Sequence, residues 1–121
     1  TDTAKAPSGA IRKEILEKWK GLGLAAEPNN SDNGVHASAS PFEGFAERTN
    51  WLKDAYTAAN DPFGKLLIEA GFPEATLKEW SVDPQVVIPG GDGKKGSMFD
   101  QVEDMDVEEC VAKCVEIYKA Q

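Results

Sequence analysis

Two four-residue stretches limit the fold of this chain more than any others: "SPFE" at 40–43 and "DPFG" at 61–64. Each sets an oxygen-bearing side chain before a proline. Proline suits the first helical position because its φ is preset and it has no N–H to leave unpaired. Serine or aspartate just before it can accept from the first free amides of the helix. Glu43, three residues after Ser40, completes a capping box. Helices are therefore expected to begin near Pro41 and Pro62, the second closing at Gly71. Phe42, Phe45, Thr49 and Leu52 trace one face of the first, with Ala46 beside them.

The rest of the chain is cut into equally short pieces. Ile11, Ile15, Trp19 and Leu22 recur at helical spacing until Gly21 and Gly23 stop the helix. "AAEPNNSDNG" has no period and reads as a connection. "FPEATLKEW" predicts a further short helix. The last one starts at Asp106 and carries Val107, Cys110, Val111, Cys114 and Tyr118 inward. Two places suit strands: Gly34–Val35–His36–Ala37 as a strand end, and "PQVVIPGG" as a short edge strand between prolines. The fold class is α+β and helix-rich. Trp19, Trp51 and Trp80 each fall on an apolar stripe and read as core or interface anchors.

Composition narrows the function classes. The 121 residues suffice for one real core, and 40% of them are hydrophobic, as in globular domains. Against 13 basic residues stand 21 acidic ones, a net charge of −8. That excludes a nucleic-acid backbone or an anionic membrane surface as main partner, since both need a positive footprint. No apolar run reaches membrane-spanning length, so no membrane insertion is expected. Cys110 and Cys114, four apart on one helical face, read as small buried hydrophobes of an intracellular, reducing compartment. "GGDGKKGS" lacks P-loop spacing and "DQVEDMDVEE" lacks that of a calcium loop, so no metal-ligand set is expected.

The chemistry concentrates around the single histidine, His36. The helix opened by Ser40 begins only a few residues later, and helix N-termini favour phosphate. Glu47 lies one and a half turns into that helix. A carboxylate that fixes the tautomer of an imidazole leaves its other nitrogen nucleophilic. Neutral imidazole accepts a phosphoryl group near pH 7, so these residues suggest a phosphohistidine site.

"NGVHASAS", with Glu47 eleven positions after His36, resembles the active-site signature of the nucleoside diphosphate kinase family, N-x-x-H-[GA]-S-[DA]-S followed by a glutamate. "TDTAKAPSGAIR" resembles the segment just upstream, T-[ND]-P-x-x-A-x-x-G-T-I-R. The resemblance implies that His36 carries the phosphoryl group from a nucleoside triphosphate to a diphosphate in a ping-pong reaction. Ser38 and Glu47 would orient the imidazole. Thr1 and Arg12 would contact phosphate and Asn33 the ribose, with Mg²⁺ as the cofactor on the nucleotide.

There are departures from the pattern. Thr3 replaces a proline, Ala10 a threonine and Ala39 the usual aspartate. Arg12 and His36 stand 24 residues apart, about twice the family separation, so 11–24 reads as an inserted helix. The resemblance spans residues 1–52, the C-terminal part of a ferredoxin-like domain, and leaves 53–121 as a helical extension. The family's earlier strands would precede Thr1, which implies a completing polypeptide segment or partner chain, as part of a protein complex. A cytoplasmic, cilium-associated or organellar location fits that reading. The alternative implied by the same features is a catalytically silent kinase-like module, a structural or interaction subunit of a larger assembly.

Overall fold

The structure, a computed structural model, describes residues 2–121. It is α+β and helix-rich, with five helices and one two-stranded antiparallel sheet among the described residues. No described helix is long and apolar enough to cross a membrane. The chain divides into two compact units, residues 1–37 and 38–121.

The first unit holds α1 (Ile11–Lys18) and a long irregular segment. The helix is shorter than its apolar spacing suggests: it ends at Lys18 and passes through turns to Gly23, whose φ is 75°. None of its residues is fully buried, and Ile11, Leu22 and Leu24 are exposed. Polar bonds supply the order here. Asn29 Oδ1 accepts from the amides of Ser31 and Asp32, while Asn30 Oδ1 accepts from the Thr3 amide at 2.9 Å. Thr3, buried, also donates its hydroxyl to the Asn29 carbonyl. Gly34–Ala37, the candidate strand end, is not a strand; Asn33 Oδ1 accepts from the Val35 amide and diverts that backbone from ladder pairing.

The second unit contains the whole apolar core cluster. It consists of α2 (Pro41–Trp51), α3 (Pro62–Glu69), α4 (Glu74–Trp80), β1 (Gln85–Val87), β2 (Lys95–Ser97) and α5 (Val107–Ala120). β1, the strand expected between prolines, pairs with β2 in the register Gln85 to Ser97 and Val87 to Lys95. Gln121 clasps the other side of β1: its side chain accepts from the Val87 amide and donates to the Val87 carbonyl.

Both expected caps form. Ser40, extended, accepts from the Glu43 amide, and Pro41 takes the first helical position. The Glu43 carboxylate reaches back to the Ala39 amide, one residue before the capping box would place it. Asp61 accepts from the amides of Phe63 and Gly64 at 2.9 and 3.0 Å. It also receives the Arg48 guanidinium, Nε at 2.6 Å and Nη2 at 3.2 Å. Asp61 is 0% exposed, so a charged carboxylate sits in the core with four donors around it.

Phe42 is the hub of the packing. Its ring lies 5.7 Å from that of Phe45, 6.4 Å from Phe63, 6.3 Å from Trp80 and 6.1 Å from Phe99. Its amide, one of the helix's unpaired donors, hydrogen-bonds the Cys110 sulfur on α5. Cys110 and Cys114 are both fully buried, and no disulfide joins them. A hydrogen bond to Cys110 and burial push the Cys114 thiol well up, so it stays protonated and unreactive. Gly64 permits the closest approach in the core, since a Cβ there would strike the Ala58 carbonyl oxygen and lie 2.9 Å from the Phe45 ring.

Some expected core positions face outward. Trp51 is 78% exposed, because the face of α2 that packs runs through Phe42, Phe45 and Ala46 and the helix ends at Trp51 itself. Leu52 follows the helix and is exposed for the same reason. Val107, in the first turn of α5, is also exposed, whereas Cys110, Cys114 and Ile117 carry the inward stripe. Tyr118 packs its ring 4.9 Å from Phe72 while keeping part of its surface in solvent. Of the three tryptophans Trp80 joins the core; Trp19 is half-buried beneath the Lys20 ammonium, 5.4 Å from its ring.

Burial pushes the Asp61 carboxyl up, but bonds from Arg48, Gly64 and Phe63 outweigh it and hold the group below the usual carboxylate range. A depressed acid contributes stability that is fully present above its unfolded value of about 4 and is lost as pH falls through the folded value. Thermal melts should therefore decline below about pH 4. Asp61→Ala should cost about 3 kcal/mol in urea unfolding at pH 7, and should abolish most of that acid dependence.

Candidate functional site

The candidate site grows from the turn that starts α2. Ser40 and Pro41 fix where the helix begins, which sets the face on which Glu43 and Glu47, one turn apart, emerge. Ser38 lies two residues before the cap. Its Oγ donates to Glu47 Oε2 at 2.6 Å, a short charge-assisted bond that holds the carboxylate in one orientation. Within this unit the structure thus brings Ser38 and Glu47 together.

The approach depends on Gly44. A Cβ at this position would lie 3.6 Å from Ser38 Oγ and 3.2 Å from Arg48 Nη1. The bare helix surface at Gly44 lets both side chains lie close against it. Arg48 is in turn held by Asp61, so α3's cap steadies the same stretch of α2 from beneath. Gly44, Arg48 and Asp61 as supports were not identified from sequence. Asp61 read only as a helix cap, and glycine at the third position after Pro41 gives no signal of what it must clear.

His36 belongs to the first unit and its side chain is exposed. Arg12, from α1, donates through Nη2 to the carbonyl of Val35 at 3.0 Å. The 24-residue separation that departs from the family spacing is therefore closed in space, and the guanidinium is anchored one residue before His36. Asn33, expected as a ribose contact, bonds within its own loop. It is buried; Nδ2 donates to the carbonyls of Asn29 and Asn30, both at 3.0 Å, and Oδ1 accepts from Val35. Its amide organises the loop that leads to His36. Thr1 lies outside the described residues.

For a metal, the relevant donors of the second unit are Glu43 and Glu47. Each already accepts a hydrogen bond, from the Ala39 amide and the Ser38 hydroxyl respectively. Magnesium ordinarily reaches such sites on the phosphates of its nucleotide, retaining several waters, and needs no protein cage.

Comparison of the chain with protein-family models, with curated proteins and with solved structures finds no match.

Asn33 is the sharpest case of a residue whose structural work can be measured. Asn33→Ala removes three hydrogen bonds from the 29–35 loop, two of them to the carbonyls of Asn29 and Asn30. Native-state proteolysis within residues 25–37 should accelerate about tenfold, while urea unfolding of the second unit stays unchanged.

Proposed function

We propose that this chain is a nucleoside diphosphate kinase-like phosphotransferase module in which His36 carries the phosphoryl group. The observation that supports it best is the Ser38 Oγ to Glu47 Oε2 bond of 2.6 Å, in the pair that the signature puts beside the imidazole. Exposure of His36 and the anchoring of Arg12 one residue before it add to that support.

On this reading the neutral imidazole attacks the terminal phosphorus of a Mg²⁺-bound nucleoside triphosphate. The bond to the bridging oxygen breaks and the nucleoside diphosphate leaves. A second diphosphate then takes the phosphoryl group through its own terminal oxygen, regenerating the imidazole. Magnesium neutralises the charge on the phosphates, and Arg12 adds a cationic side chain. Glu47, oriented by Ser38, holds the imidazole in the tautomer that presents a lone pair to phosphorus.

One observation favours the second reading, a silent kinase-like module that serves as a structural or interaction subunit. The Asn33 amide is spent on the loop's own backbone and is not available to a ribose. A reducing intracellular compartment suits either reading, given the two unpaired buried thiols.

Incubation with Mg²⁺ and ATP labelled at the terminal phosphate separates the two. Acid-labile, base-stable label should appear on the native chain, vanish in His36→Gln and transfer to added diphosphate. Ser38→Ala should slow labelling by about tenfold or more while nucleotide affinity stays within a factor of about two. Nucleotide binding without label would establish the silent module instead.

A further inference from the structure

A second feature of the 38–121 unit shares only Glu47 with the proposed phosphotransfer site. Between the C-terminal half of α2, the 53–58 segment and α4 lies an open cavity of about 700 Å³, a size that holds a drug-sized organic molecule. Buried Phe45 and Ala46, with Phe99, give it an apolar lining, and Ala75, Lys53 and Lys78 are exposed residues of the same lining. We propose that this cavity binds a small organic anion: an oxyanion head, carboxylate or phosphate, on an apolar body.

Two of the wall hydroxyls are spent internally. Thr49 on α2 gives its hydroxyl to the carbonyls of Phe45 and Ala46, and Ser81 gives its own to the Leu77 carbonyl. Neither hydroxyl then needs a partner from an apolar body lodged in the cavity.

The cations are differently placed. Among the described residues neither Lys53 nor Lys78 forms an ion pair, in a chain that otherwise carries an acidic excess of eight charges. Two carboxylates also border the cavity. Glu47 is bonded to Ser38, and Glu74 occupies the first turn of α4, where negative charge complements the helix dipole. Two ammonium groups on flexible stems thus remain to meet an anionic head at the mouth. Val82, 80% exposed on the rim, leaves a large apolar side chain in water until something covers it.

The floor is rigid. Gly64 lets the Ala58 carbonyl pack directly on α3, and the Arg48–Asp61 pair fixes α2 against the same helix. A cavity with two fixed walls loses little entropy when filled.

The test is titration of the full chain with 1-anilinonaphthalene-8-sulfonate, an apolar anion whose emission rises on burial. Near-UV circular dichroism and thermal melts verify that each protein is folded. A single saturable site is expected. Decanoate and 1-naphthyl phosphate, which separate a carboxylate from a phosphate preference, compete, while decyltrimethylammonium does not. Lys53→Gln with Lys78→Gln should weaken binding about tenfold or more. Ala75→Trp should abolish it by placing an indole in the cavity. Should that variant fail to fold, Val82→Glu, at an exposed position, should still weaken binding by placing negative charge at the mouth. Absence of saturable binding, equal competition by the cation, or full affinity in the folded lysine or rim variants would overturn the proposal. None of these residues belongs to the His36 site, so failure here leaves the phosphohistidine result standing.

Discussion

The second unit rests on a buried charge. Asp61 has no contact with solvent, and an isolated carboxylate in that position would be far too costly to keep ionised. Four donors make it tolerable: two backbone amides from the first turn of α3 and two nitrogens of Arg48 from α2. Removing any one leaves the others facing a poorly compensated charge, so α2 and α3 are bound to a single relative placement. Hydrophobic packing alone tolerates small slides of one helix on another; a bidentate guanidinium does not. From that registration follow the close approach at Gly64, the seat of Phe42 among the aromatic rings and the direction in which Glu47 leaves α2.

Local grammar was readable and tertiary pairing was not. Ser40, Pro41, Glu43, Asp61 and Pro62 act within three or four residues of themselves, and each does what its side chain dictates nearby. β1 was likewise legible between its prolines. The Arg48–Asp61 pair spans thirteen residues, and nothing in either neighbourhood specifies the other. Trp51 shows the same limit from another side. Its spacing fits an apolar stripe, but which edge of the stripe is covered depends on where α3 and α5 lie, and they lie over Phe42 and Phe45.

The site divides along the same line. Ser38 and Glu47 were expected to cooperate and are bonded; their meeting needs only one and a half turns of a well-capped helix and a glycine that clears the way. Asn33 was expected to face a ligand. Asparagine before glycine, in a run rich in Asn, Asp and Ser, satisfies its amide on neighbouring backbone more readily than on a distant partner, and here it does so three times.

Order in the two units has different physical origins. In residues 38–121 it comes from an aromatic core with Phe42 at the centre; in the first unit it comes from side-chain amides that replace missing backbone partners around Thr3, Asn29, Asn30 and Asn33. Hydrogen bonds of that kind contribute about 1 kcal/mol each and are exposed to competition from water, whereas a buried aromatic contributes several times more. The stretch 29–37 is accordingly the least protected part of the chain by physical argument, and His36 lies on it. Glu47, in contrast, is mounted on α2, whose Phe42 sits at the centre of the core, and Ser38 just before that helix is bonded to it. The difference in how firmly each unit is held follows from which side chains supply its order, amides before residue 38 and aromatic rings after it.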